Sequence, residues 1–273
     1  MTWMIYKKKE IEMKIDLEGK KALVGASTQG LGRAIALQLA SCGASVTLLA
    51  RNEEKLKATI AELDTNFNQK HQYIVVDFYD FKDFELKTSA YFKQNTVDIL
   101  VNNTNGPEAG GVFEKNTNDY QKAFDLLFKT TCHLTLLAVE NMKKNHYGRI
   151  INTASLTVKE PLPNLVLSNT IRAAVDIWAK TLAKDVAPFG ITVNTILTGL
   201  FDTERIQQLN KIQASAKGIS LEENLKLMTQ EIPAGRLGKS DEFGYLVAFL
   251  ASNYASYITG TNVSIDGGLI KSL

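Results

Sequence analysis

The chain has 273 residues, 45% of them hydrophobic and 22% charged, and its 31 basic and 29 acidic side chains leave a formal net charge of +2. That length holds one domain with a sizeable core, and the charge balance excludes an electrostatic case for nucleic acid or an anionic membrane surface. No uncharged run is long enough to span a bilayer, and Cys42 and Cys132 have no His or Cys at metal spacing, so they read as reduced thiols of a cytoplasmic protein.

In chain order, residues 1–14 carry a basic run, Lys7-Lys8-Lys9, followed at once by Glu10 and Glu12, with a second possible start at Met13. They read as a solvated, disordered N-terminal extension without a signal-peptide pattern, leaving one domain over 15–273. From there short apolar runs alternate with stretches of helical spacing, the signature of βαβ units and a parallel sheet. The runs predict strands at Lys21–Val24, Ser45–Ala50, Gln72–Val76, Ile99–Asn102, Arg149–Thr153, Ile191–Ile196 and Asn262–Ile265. Their unbroken apolar character, as in Tyr73-Ile74-Val75-Val76, fits strands covered by helices on both faces. Helices are predicted at Leu31–Ser41, Glu53–Leu63, Asp119–Lys144, Ser168–Ala187 and Asp241–Ala251. Gly43 and Gly190 fall just past helix ends, where a left-handed residue is useful. The fold class is α/β: a single doubly wound Rossmann-type parallel sheet flanked by helices. Between Phe201 and Pro233 polar residues mix with Ile206, Leu209, Ile212, Leu221, Leu225 and Met228, which predicts a helical flap at about 201–233 over the crevice at the strand ends. A surface helix pair without that role is the alternative.

The turn Gly25-Ala26-Ser27-Thr28-Gln29-Gly30-Leu31-Gly32 follows a predicted strand and opens a helix. Glycines there let backbone approach a pyrophosphate, while the helix N-terminus offers free N–H groups and the positive end of a dipole. A turn that only packs helix on strand is the competing reading. At the end of the second strand, where a carboxylate would hold the ribose 2′-hydroxyl of NAD, stand Arg51 and, just after the third glycine, Arg33. Two guanidinium groups with no carboxylate suit a 2′-phosphate and point to NADP(H).

This turn, the strand Gly148-Arg149-Ile150-Ile151-Asn152-Thr153-Ala154-Ser155 and the helix carrying Ser168-Asn169-Thr170-Ile171-Arg172 together resemble the short-chain dehydrogenase/reductase family, over roughly Leu17 to the C-terminus. The later runs Gly235-Arg236-Leu237-Gly238, Ser256-Tyr257-Ile258-Thr259-Gly260 and Asp266-Gly267-Gly268 resemble the closing motifs of its 3-oxoacyl-carrier-protein-reductase-like members. The resemblance implies cofactor contacts from Gly25, Ser27, Gly30, Leu31 and Gly32, an adenine contact from Asp77, cofactor-side positions for Asn102 and Asn103, and a nicotinamide contact from Thr203. It implies an NADP-dependent oxidoreductase acting on a small-molecule carbonyl or acyl-thioester such as a 3-oxoacyl thioester, assembled as a homodimer or homotetramer through the two long helices. In the family's pattern the first turn glycine is Ala26 here, Asn105 replaces a glycine, and Leu127 stands at the asparagine position.

Ser155 matches the family's serine, whereas Ser168 and Arg172 stand where the family has its tyrosine and lysine. A phenol titrates near 10 and can be drawn toward neutrality; a serine hydroxyl cannot, and a guanidinium keeps its proton. Ser168 and Arg172 are four apart on one helix and share a face, so both are expected to line the pocket. The nearest titratable pair after Ser155 is Lys159-Glu160, which makes Lys159 a candidate substitute acid or substrate-anion anchor, against an exposed loop pair. His133 and His146 are weaker candidates. Two other readings remain: a non-catalytic NADP-binding scaffold with a degenerate site, and an oxidoreductase whose chemistry needs no tyrosine acid.

Overall fold

The computed structural model describes residues 14–272, so the expected extension lies outside the described residues except for Lys14. Seven parallel strands, β1 Lys21–Gly25, β2 Ser45–Ala50, β3 Gln72–Val75, β4 Ile99–Asn102, β5 Gly148–Ser155, β6 Ile191–Thr198 and β7 Asn262–Ile265, form one sheet in the order β3-β2-β1-β4-β5-β6-β7. All seven coincide with predicted runs, β5 and β6 each extending two residues further at the C-terminal end. Strand order reverses between β1 and β4, and the crevice of a doubly wound sheet opens at the C-terminal ends flanking that point.

Strand parity explains the two cores. Ala22, Val24, Val46, Leu48, Ile99, Val101 and Ile151 point to one face, while Leu23, Leu49, Leu100 and Ile150 point to the other. Helix α1 (Gly30–Ser41) and helix α9 (Ser240–Ala251) cover the first face; α3 (Phe81–Phe92), α5 (Thr130–Asn145) and α6 (Val166–Val186) pack on the second. Burial on both sides is why the strands read as continuous apolar runs. Helix α2 (Glu53–Glu62) follows β2, started by the Asn52 side chain accepting from the Lys55 N–H. Gly43 and Gly190 do take positive φ, +100° and +69°.

One helix lies outside the predicted stretches and another differs from its expectation. Phe81–Phe92 mixes phenylalanines with charged residues, and Asp80 starts it by accepting from the Asp83 N–H. The single helix expected over Asp119–Lys144 is instead α4 (Thr117–Phe124), a π-turn at Asp125–Lys129, and α5. The wide turn shifts the helix face by one residue and lets both Leu126 and Leu127 enter the core. Thr130 Oγ1 donates to the Leu126 carbonyl at 2.6 Å.

Between Phe201 and Pro233 lie α7 (Glu204–Lys217) and α8 (Leu221–Gln230). A polar knot joins them: buried Asn224 donates to Asn210 Oδ1 at 2.7 Å and accepts from Lys217 Nζ at 2.9 Å. Their leucines and Ile212 stay exposed, so the apolar spacing does not mark an internal seam.

Candidate active site

The crevice at the strand ends has a volume of about 280 Å³. Its lining brings together the glycine turn (Ala26, Gln29, Gly30, Leu31, Gly32), the loop after β4 (Asn103 to Pro107), Thr153 to Ser155 of β5, Ser168 and Arg172 of α6, and Thr203 to Ile206 at the start of α7. Five separate chain segments therefore converge on one site.

The turn needs its glycines for clearance. A Cβ on Gly32 would sit 2.2 Å from the Ala26 carbonyl oxygen and 2.9 Å from Asn103 Nδ2, and one on Gly25 would sit 2.2 Å from the Asn103 carbonyl oxygen. Asn103 Nδ2 donates to the Gly25 carbonyl at 3.0 Å and so pins the β4 loop to the turn. Ala26 adopts φ +45°, the left-handed region that costs a residue with a Cβ about 1–2 kcal/mol. That backbone requirement is the physical reason a glycine suits this position. Helix α1 has no acidic side chain in its first turn, so its positive end faces the crevice uncompensated. Ser27 is buried and its hydroxyl contacts the Leu49 carbonyl at 3.4 Å; it ties the turn to β2 and does not line the crevice.

At the rim, Arg33 pairs with Glu62, and Arg51 lies 3.8 Å from Asp77. Asp77 also accepts from the Tyr79 N–H at 3.0 Å. Lys55 Nζ donates to Gln29 Oε1 at 3.2 Å, which puts a third cation beside the glycine turn. Lys55 escaped sequence reading because one lysine in a charged helix carries no signal.

Ser155 Oγ accepts from the Thr157 N–H at 3.2 Å and from Thr157 Oγ1 at 3.1 Å. With both acceptor positions used, its own proton remains to be donated into the crevice. Arg172 Nη1 donates to the Thr153 carbonyl at 2.6 Å. Burial, and to a smaller extent the charge of Arg205, lower the Arg172 pKa to about 10, so it remains a cation at neutral pH. Arg205 reaches across from α7 so closely that a Cβ on Gly106 would lie 2.5 Å from its Nη1. Sequence reading did not single out Arg205; only the fold brings it over the β4 loop. Thr203 caps α7, and its methyl group would lie 3.3 Å from a Cβ on Gly30.

Behind this crevice lies a small cavity lined by Asn102, Leu127, Asn152, Thr153 and Arg172, among others. Asn102 Nδ2 donates to Thr135 Oγ1 at 3.0 Å and Asn152 Oδ1 at 2.9 Å, so Asn102 faces this interior space and not the main crevice.

Lys159 is exposed and absent from the crevice lining, because the turn following Ser155 carries it outward. Its neighbour Glu160 accepts from the backbone N–H groups of Ser272 and Lys271 at 2.6 and 2.7 Å, which lower its pKa. Glu160 thus anchors the C-terminal segment of the chain rather than the site. His133 is packed against Phe81 and Phe84, burial lowering its pKa, and exposed His146 ends α5 with φ +50°; neither lines the crevice. The described residues hold no cluster of His, Cys, Asp and Glu able to bind a metal, and no helix long and apolar enough to cross a membrane.

A family model described as enoyl-(acyl carrier protein) reductase matches residues 25–270. The chain is 31% identical over 256 residues to the 3-oxoacyl-[acyl-carrier-protein] reductase FabG of Rickettsia prowazekii, covering 94% of this chain and 99% of that one. It is 31% identical over 260 residues to the NADPH-dependent reductase BacG of Bacillus subtilis, covering 93% and 99%. L-sorbose reductase from Gluconobacter frateurii, solved in complex with NADPH and L-sorbose, superposes with a TM-score of 0.89 at 28% identity, covering 96% and 100%.

Proposed function

The chain belongs to the short-chain dehydrogenase/reductase family, and we propose that it is an NADP(H)-dependent reductase of a carbonyl substrate such as a 3-oxoacyl thioester. The observation that carries this reading is the convergence of the glycine turn with Ser155, Ser168 and Arg172 on one crevice. The residues present fit the cofactor. The bare positive end of α1 suits a pyrophosphate. Arg33, Arg51 and Lys55 flank the end of β2, where a 2′-phosphate needs cations. Exposed pairs such as Arg51–Asp77 contribute at most about 1 kcal/mol, so a doubly charged phosphate can displace the carboxylate. Gly25, Gly30, Leu31, Gly32, Asn103 and Thr203 are assigned to the cofactor as shape and backbone contacts, with Asp77 at the adenine side. Ser27 and Asn102 act one layer back, holding the turn and the β4 end.

When bound, NADPH supplies the hydride. Ser155 donates its hydroxyl proton in a hydrogen bond to the carbonyl oxygen, its oxygen being held by Thr157. Ser168 offers a second hydroxyl. Arg172 stabilises the negative charge that grows on that oxygen, as a fixed cation needing no reorganisation. The proton that completes the alcohol comes from water, since Arg172 holds its own at neutral pH. Helices α7 and α8 serve as the flap, Thr203 and Arg205 meeting the opposite wall at Gly30 and Gly106. Exposed Leu136 on α5 and Ile177 on α6 support association through these long helices into a homodimer or homotetramer.

One observation favours a second reading, a non-catalytic NADP-binding scaffold: the crevice lining contains no tyrosine, lysine, histidine or cysteine. The two separate by following loss of nicotinamide absorbance over a panel of 3-oxoacyl thioesters, ketones and oxo acids. Turnover that falls at least about tenfold in Ser155→Ala supports the reductase. NADPH binding with no turnover on any member supports the scaffold.

A further inference from the structure

Arg172 and Arg205 face one crevice without a direct ion-pair partner, the carboxylate that shares the lining being that of Glu204, next to Arg205 in the chain. Arg172 projects from α6 one helical turn after Ser168 and bonds the carbonyl of Thr153, two residues before Ser155. Arg205 enters the same crevice from the opposite wall. Among the described residues neither guanidinium has a carboxylate within 4 Å, whereas Arg33, Arg51 and Arg236 each do. The two cations are close enough for Arg205 to disfavour the charge on Arg172. Arg172 is largely shielded from water while Arg205 is exposed at the rim, and the repulsion between like charges at a concave site is relieved by an anion between them. Arg172 spends Nη1 on Thr153, leaving its other N–H groups for a ligand.

We propose that Arg172 and Arg205 clamp a carboxylate of the substrate, so that the crevice takes an oxo acid whose free carboxylate lies within a few bonds of the reducible carbonyl. The inference rests on the reductase reading and narrows its substrate. Position separates this anion from the cofactor's own: the pyrophosphate belongs at the α1 N-terminus, whereas Arg172 sits beside the two serines. The same position disfavours a carrier-bound thioester, whose nearest phosphate is a long arm away from the reacting carbonyl. Planar guanidinium groups from two walls also define an orientation, presenting the carbonyl to Ser155 while the acid is held. Arg205 is then a substrate-binding residue carried on α7, so that the anion itself ties the flap to the crevice floor.

The test uses the full chain, free and saturated with NADPH, titrated calorimetrically with acetoacetate and phenylpyruvate, each beside its neutral methyl ester. The expected result is that at least one acid binds about tenfold or more tightly than its ester. Arg205→Gln should erase that preference while leaving NADPH affinity and thermal unfolding as in the wild type, and Arg205→Lys should restore part of it. Raising salt should weaken the acid and spare the ester. Equal binding of acid and ester, or no binding of any of the four, overturns the clamp. So does an Arg205→Gln protein that loses NADPH affinity in the same proportion, because Arg205 then belongs to the cofactor. If NADPH itself does not bind the wild type, the reductase reading fails, and the acid-to-ester ratio on the free chain still decides the clamp.

Discussion

Replacing Arg172 with methionine is expected to stabilise the ligand-free protein while damaging the reaction. Burial first, and Arg205 second, bring the Arg172 pKa down from the ordinary guanidinium range to about 10. At 1.36 kcal/mol per pK unit, that difference corresponds to roughly 3 kcal/mol, an upper bound because part of the side chain still meets crevice water. The folded pKa lies below the unfolded one, so the unfolded chain holds this proton more tightly. The penalty is therefore complete at every pH below about 10 and fades only as pH rises beyond it. Against its removal stands the lost bond from Nη1 to the Thr153 carbonyl, about 1–1.5 kcal/mol. Methionine roughly keeps the volume of the stem, so little cavity term is added. The net is a gain of roughly 1–2 kcal/mol, or about 3–6 °C in Tm for a chain of this size. Thermal unfolding followed by circular dichroism at neutral pH, without cofactor, compares wild type, Arg172→Met and Arg172→Lys. A Tm that falls by more than about 2 °C in Arg172→Met would refute the reasoning, since the guanidinium would then be part of the packing and not a cost carried for function.

Ala26→Gly relieves the φ +45° backbone but adds freedom to the unfolded chain, leaving a net gain of about 0.5–1 kcal/mol; an unchanged or lower Tm would contradict the strain assigned to that turn. Lys159→Ala is expected to leave turnover and oxo-acid affinity at wild-type values in steady-state assays, and a loss of about tenfold would return Lys159 to the site. Arg236 and the Lys239 N–H hold the Glu242 carboxyl at a pKa of about 2. This lowered value means the pair's contribution is present above about pH 4.5 and lost as pH falls toward 2. Glu242→Gln should flatten the dependence of Tm on pH across that window, and parallel curves would argue against the pair.

Much of the fold was legible because strands buried on both faces leave continuous apolar runs, and β1 and β4 carry nothing else at their centres. Helix α3 was not, since its apolar residues serve a ragged seam with α5 and its start depends on one aspartate. The π-turn at Asp125–Lys129 was not, because a helix that gains one residue in a turn keeps nearly the same composition. At the site, Ser155, Ser168 and Arg172 were found through the resemblance to the family's motif, and spacing added only that two residues four apart on a helix share a face. The partners of the cations were not. Glu62 opposite Arg33, Gln29 beneath Lys55 and Gly106 beside Arg205 are all far apart in sequence, and only the assembled sheet and its helices bring them into contact. The choice between a site role and an exposed loop position for Lys159 stayed open in the sequence for the same reason, its direction being set by a turn of backbone and not by its distance from Ser155.

The most direct test of the central reading is a titration of the purified full chain with NADPH and, separately, NADH, followed by nicotinamide fluorescence. NADPH is expected to bind saturably with an affinity at least about tenfold above that of NADH, the preference falling in an Arg33→Ala, Arg51→Ala double variant. Failure of both nucleotides to bind, or equal affinity for the two, would contradict that reading.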